Sequence, residues 1–114
     1  MRFFMRYTIV MTIRYNSNWL SLARSERNEF NEKNIFPILN KFSKFVNVKF
    51  FDAECFYARG SDFIIFECDD LQKYYFLVED LRDTELFSKE YLTIIDIMMG
   101  LEDGYKEFES TSEQ

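Results

Sequence analysis

Histidine is absent from this 114-residue chain. That absence removes the imidazole on which Ser-His-Asp and Cys-His nucleophilic systems depend, along with His-ligated haem and His-based zinc sites. Cysteine is nearly as scarce. Cys55 and Cys68 are the two in the chain; they show no metal-ligand spacing, and they sit in candidate strands rather than in a loop-rich disulfide framework, which fits a reducing cytoplasm. Proline occurs once and glycine three times, so nothing in the composition marks a linker or a low-complexity segment, and one domain is expected. No apolar run reaches the ~18 to 20 residues of a membrane helix. The N-terminal run "FFMRYTIVMTI" is broken by Arg6 and followed by no small-residue cleavage site, so a soluble, cytoplasmic protein is the expectation. Positive charge is the minority sign, 14 basic side chains against 20 acidic for a net charge of -6. Such a field repels a phosphate backbone, so nucleic acid is not expected as a partner, and the lack of an apolar run of membrane length removes the expectation of a membrane. Arg2, Arg6 and Arg14 are spaced through a strand-like segment and form no basic patch.

What the chain does have is apolar material: 47% hydrophobic residues and 14 phenylalanines, ample for one core at this length. Residues 3 to 15 alternate at period two, with Ile9, Met11 and Ile13 on one face and Thr8, Thr12 and Arg14 on the other, the pattern of a half-buried strand. After the turn "NSN", a helix is expected with Ser25 as N-cap and Phe30, Ile35, Ile38, Leu39 and Phe42 on its apolar stripe, kinked or restarted at Pro37. "VNVKFFDAECF" (46 to 56) and "DFIIFEC" (62 to 68) read as an antiparallel hairpin turning at Gly60. Asp69 or Asp70 can cap a second helix, and "YLTIIDIMM" (91 to 99) reads as a fourth strand. The order is that of a ferredoxin-like α+β fold, βαββαβ, with a four-stranded antiparallel sheet covered by helices on one face. The expected domain runs over residues 1–105, with 106–114 as a C-terminal tail.

Parity along the strands sorts the carboxylates. On the second strand Phe51, Ala53 and Cys55 oppose Phe50, Asp52 and Glu54; on the third Ile64, Phe66 and Cys68 oppose Phe63, Ile65 and Glu67; on the fourth Ile95, Ile97 and Met99 oppose Ile94, Asp96 and Met98. Assigning the wholly apolar sets to the core puts Arg14, Asp52, Glu54, Glu67 and Asp96 on the uncovered face as candidate ligand-lining residues. Two such faces packed together in a homodimer would enclose a cavity suited to a small organic molecule. A desolvated carboxyl there could act as acid or base, with Arg14 positioning an anion. The competing expectation is architectural: the same carboxylates pair with Arg14, Lys49 or Arg59, and the face is only a dimer or partner interface. Spacing selects no reaction. Cys55 and Cys68 are not nominated as nucleophiles, and without a D-x-D-x-D-G loop no metal site is expected.

The segments "NWLSLARSERNEF", "FFDAECFYARGSDFIIFE" and "DLQKYYFLVEDLRDTELFSKEYLTIIDIMMGLEDGY" resemble the darcynin family of small bacterial proteins. The resemblance runs from about Trp19 to Tyr105; its most specific parts are "FDAE-F" around Asp52 and Glu54, Ser61 and Asp62, "LRDT" (Leu81 to Thr84) and "EDG" (Glu102 to Gly104). It implies a subunit of the dimeric α/β-barrel type, with no cofactor and no catalytic residues to carry over. Cys55 stands where the family resemblance leads one to expect alanine.

Overall fold

Four segments, Tyr7–Tyr15 (β1), Val46–Asp52 (β2), Asp62–Cys68 (β3) and Leu92–Leu101 (β4), make one antiparallel sheet in the spatial order β2-β3-β1-β4. That order, with helices in both crossovers, is the ferredoxin-like arrangement. The computed structural model describes residues 5–112; Arg2 and the first residues of the expected strand 3 to 15 lie outside the described residues.

The first crossover comprises Ser17–Leu20 (α1), Arg24–Phe30 (α2), a π-helical stretch Asn31–Ile35 and Phe36–Lys41 (α3). α2 starts earlier than the Ser25 cap expected from sequence, because the Glu26 carboxylate accepts the Ala23 N–H at 3.0 Å and so satisfies a donor that a helix start leaves free. Pro37 sits in the first turn of α3, where its missing N–H costs little. The wider π turn precedes it, and there Phe36 N–H reaches back five residues to the Asn31 carbonyl. In the second crossover Asp70 caps Leu71–Arg82 (α4) by accepting from Gln72 N–H at 3.0 Å, and Thr84 caps the short Glu85–Ser88 (α5). The stretch expected as a tail from residue 106 forms most of a further helix, Gly104–Ser112 (α6).

The core lies on the helix side of the sheet. Ile9, Met11 and Ile13 meet Ile64, Phe66 and Cys68 there, against Leu77 of α4 and Leu86 of α5. Each such burial removes a side chain from water for about 1.5–3 kcal/mol. Phe66 packs edge-on to Tyr74 of α4 at 5.2 Å between ring centroids.

Two face assignments read from sequence are corrected. On β2 the sides are exchanged: Phe50 pairs with Ile64 and Asp52 with Asp62, so both belong to the helix side, whereas Phe51 pairs with Phe63 on the open side, their rings stacked at 4.7 Å. The reason is that β2 is an edge strand whose end is poorly covered. Phe50 and Phe51 are 54% and 38% exposed, and alternation cannot separate faces that are both wet. On β4 a bulge opposite Thr12 and Ile13 makes Ile95 the extra residue, so Ile94, paired with Ile13, joins the core side while Asp96, paired with Thr12, stays on the open one.

Candidate functional site

The helix side of the sheet is not filled throughout. Between β2–β3 and the first crossover lies a cavity of about 640 Å³, inside the ~300–1,000 Å³ range of small-molecule sites. Its sheet wall is Val48, Phe50, Ile64 and Phe66, and Ile35, Phe36 and Leu39 close it from the helices. At one end Trp19 stacks on Tyr15 with ring centroids 5.5 Å apart, and Phe30 packs edge-on and Tyr91 tilted against the same indole.

The polar lining comes from two walls. α2 and the start of the π stretch contribute Arg24, Arg27, Asn28 and Asn31, positions i, i+3, i+4 and i+7, which share one face of a helix. An ordinary surface helix turns apolar residues inward at that spacing, yet here the first two turns present donors to the cavity and the apolar stripe takes over at Ile35. Neither arginine forms an ion pair among the described residues.

Opposite them the sheet contributes Tyr15, Asp52 and Asp62. Carboxylate oxygens of Asp52, Glu54 and Asp62 lie within 4.8 Å of one another, a spacing a hard cation can bridge, or across which like charges compete. Asp62 shows the competition: partial burial, then a hydrogen bond shared with Asp52 and the charges of Glu54 and Asp52, push its carboxyl above the usual range against an opposing hydrogen bond from Ser61. Tyr15 responds in the same sense. Burial first, then the charges of Asp62 and Asp52, push its hydroxyl to about 12, so it is held as a neutral donor.

A close approach holds this corner in place. Ser61 N–H donates to the Ile13 carbonyl at 2.9 Å and Ser61 Oγ accepts Tyr15 N–H at 3.0 Å. Beside them Gly60 leaves no room for a side chain: a Cβ would meet the Ile13 carbonyl oxygen at 2.6 Å and the Ile95 side chain at 2.7 Å. Gly60 is needed for this space, since no glycine in the described residues has a positive φ.

The residues expected from sequence divide between two places. Asp52 lines the cavity, and Glu54, in the exposed turn after β2 rather than in a strand, reaches its two neighbouring carboxylates. Glu67, Asp96 and Arg14 lie on the open face of the sheet. There Glu67 bonds Lys49 and Asn47, both at 3.1 Å, and these hydrogen bonds hold its carboxyl below the usual range. Asp96 accepts the Ile97 N–H at 2.9 Å. Strand parity passes over Asp62, Tyr15 and the α2 stripe. The signal for the stripe is the spacing Arg24-x-x-Arg27-Asn28-x-x-Asn31. Cys68 is buried in the core and Cys55 is exposed in the turn.

The profile of the family described as "Darcynin, domain of unknown function" matches residues 2–112. Darcynin 1 of Acinetobacter baumannii is 38% identical over 91 residues, which is 80% of this chain and 100% of that protein. A darcynin homolog of Granulibacter bethesdensis is 33% identical over 98 residues, 86% of this chain and 78% of that one. Among solved structures, a chlorite dismutase from Candidatus Nitrospira defluvii in complex with imidazole superposes with a TM-score of 0.75 at 13% identity, covering 86% of this chain and 40% of that one. A novel heme-binding protein from Thermus thermophilus gives 0.75 at 16% identity, covering 83% and 39%. The chain thus spans about two-fifths of the length of these solved structures, and at such identities the likeness concerns the fold alone. On the family match over nearly its whole length, this chain belongs to the Darcynin family.

Proposed function

We propose that this protein binds a small organic molecule in the cavity between its sheet and its first-crossover helices. The observation that carries this reading is the lining itself: an apolar interior joined at one side to convergent, incompletely paired polar groups, at a volume suited to a small ligand. This moves the binding site from the open sheet face, where strand parity alone would put it, to the opposite side of the same sheet. The open face, with Phe51 stacked on Phe63 and Met98 65% exposed, serves in this reading to pair two copies of the chain into a homodimer.

Haem, which the Thermus protein is named for binding, does not fit these residues. The chain has no histidine, and no cysteine or methionine lines the cavity. Tyr15 is the one lining side chain of an established haem-ligand type apart from those, and its hydroxyl is held protonated by burial and by two carboxylates.

The test uses Trp19, the single tryptophan, which lines the cavity and is 5% exposed. Titration with the uncharged dye N-phenyl-1-naphthylamine is expected to quench Trp19 and light the dye at a 1:1 ratio. Val48→Phe, which puts a ring into the cavity, is expected to weaken this at least tenfold, and Phe63→Ala on the open face to leave it unchanged. Binding that ignores Val48→Phe and disappears with Phe63→Ala would return the site to the open face.

A further inference from the structure

The two polar walls of the cavity differ in sign. The α2 wall offers two guanidinium groups, Arg24 and Arg27, and the amides of Asn28 and Asn31; the sheet wall offers Asp52 and Asp62, with Glu54 close behind them. Opposite charges that line one cavity are normally consumed by each other, yet the ion pairs among the described residues are Lys33 with Glu29, Lys41 with Asp80, Lys49 with Glu67 and Lys89 with Glu85. None joins the two walls. The charges of both walls thus meet solvent and the cavity rather than one another, with Arg24, Asp52 and Glu54 exposed and Arg27 and Asp62 half-buried.

A single ligand satisfies both only if its head carries both signs. We propose that the cavity takes a zwitterion with a bulky apolar body, an α-amino acid with a large aromatic or aliphatic side chain. Its carboxylate lies against Arg24 and Arg27, its ammonium against Asp52 and Asp62, and its body lies over Phe66. This rests on the cavity reading above and names the class of molecule that fills it. Arginine suits the first contact because its planar fork binds a carboxylate through two parallel hydrogen bonds. The second contact suits the corner, because an ammonium inserted there lies within reach of three carboxylates whose oxygens stand within 4.8 Å of one another. The raised Asp62 carboxyl agrees with that crowding. The alternation of wall chemistry with depth fits the same ligand, since the α2 stripe is polar at Arg24, Arg27, Asn28 and Asn31 and turns apolar from Ile35 onward.

An isosteric series separates the parts. The probes are 3-(2-naphthyl)alanine, 3-(2-naphthyl)propionic acid, which lacks the ammonium, and 2-(2-naphthyl)ethylamine, which lacks the carboxylate. All are titrated calorimetrically at neutral pH, beside uncharged 2-naphthol. The amino acid is expected to bind at least tenfold more tightly than the acid or the amine, since each truncation strands a charge-assisted contact. Arg27→Gln should weaken the amino acid and the acid about tenfold and leave the amine alone; Asp62→Asn should weaken the amino acid and the amine and leave the acid alone. If the acid or the amine binds as tightly as the amino acid, or all bind no better than 2-naphthol, the zwitterion proposal is overturned while the cavity stands. If no probe binds, 2-naphthol included, the cavity reading itself falls.

Discussion

The two faces of this one sheet treat charge in opposite ways. On the open face Glu67 is met at 3.1 Å by both Lys49 and Asn47, and Asp96 takes a backbone N–H, so the carboxylates are partnered and the protonated form of Glu67 is disfavoured. On the helix side Asp62 shares its corner with Asp52 and Glu54 and holds its proton more tightly than a free aspartate does. The difference teaches that acidic residues in strands are not one kind of signal. Those on the open face are met by a cation, an amide or a backbone N–H, whereas those crowded together on the helix side are the ones that the proposed ligand would meet.

The largest effect that tests this division comes from two phenylalanines on the same strand. Phe66 is 1% exposed in the core and lines the cavity, whereas Phe63 is half-buried on the open face and stacked on Phe51. Phe66→Ala is expected to cost about 3–5 kcal/mol in a denaturant titration, the lost transfer energy plus an enlarged void. Phe63→Ala should cost about 1–2 kcal/mol of fold stability, since it loses a stacked partner but leaves no internal hole. Its main effect should be on subunit association, read by light scattering against concentration. Equal losses of stability from the two would mean that the open face is as much a part of the core as the covered one.

A smaller effect separates the faces by its sign. The folded-state pKa of Asp62 is raised above that of the unfolded chain, so the native protein binds this proton more tightly than the unfolded one does. Below the unfolded value of 3.8 both states are protonated and the full contribution to stability is present; as pH rises through the raised value it is lost. Asp62→Asn has no charge to desolvate. It should therefore match the parent protein in acid and melt slightly higher at neutral pH, by less than ~1 kcal/mol because the site is partly open to screening solvent. A lower melting temperature at neutral pH would show that Asp62 is paired after all.

Much of this was legible in the residues. The strand alternation of Ile9, Met11 and Ile13, an aspartate cap at position 69 or 70 and the βαββαβ order follow from local rules that the tertiary structure does not override, the structure choosing Asp70. The face of β2 was not legible, because covered and uncovered are properties of the helices above a strand, and at Phe50 and Asp52 the helices leave a gap. The Ile95 bulge is likewise set by register with β1. Parity singles out Asp52 and Glu54 but assigns them to the open face, whereas Asp52 lies on the helix side and Glu54 in the turn after β2. The arginine and asparagine stripe of α2 is visible at helical spacing, but a polar stripe reads as a solvated face until the sheet opposite it is in place.

The smallest effect belongs to Glu67, and its sign is the opposite of that for Asp62. Lys49 and then Asn47 favour the charged form, so the folded-state pKa lies below the unfolded value of 4.5. The stability this contributes is present above that value and is lost as pH falls through the folded one. Glu67→Gln should therefore lower the melting temperature at neutral pH and converge with the parent protein in acid. The size should be below ~1 kcal/mol, since Lys49 is 54% exposed and pairs of that kind are screened. Because the carboxylate is already partnered, the same substitution should leave the affinity for 3-(2-naphthyl)alanine within about twofold of the parent, whereas Asp62→Asn reduces it about tenfold. If Glu67→Gln were to weaken that ligand as much as Asp62→Asn does, partnership would be no guide to which carboxylates bind, and the contrast between the two faces would fail.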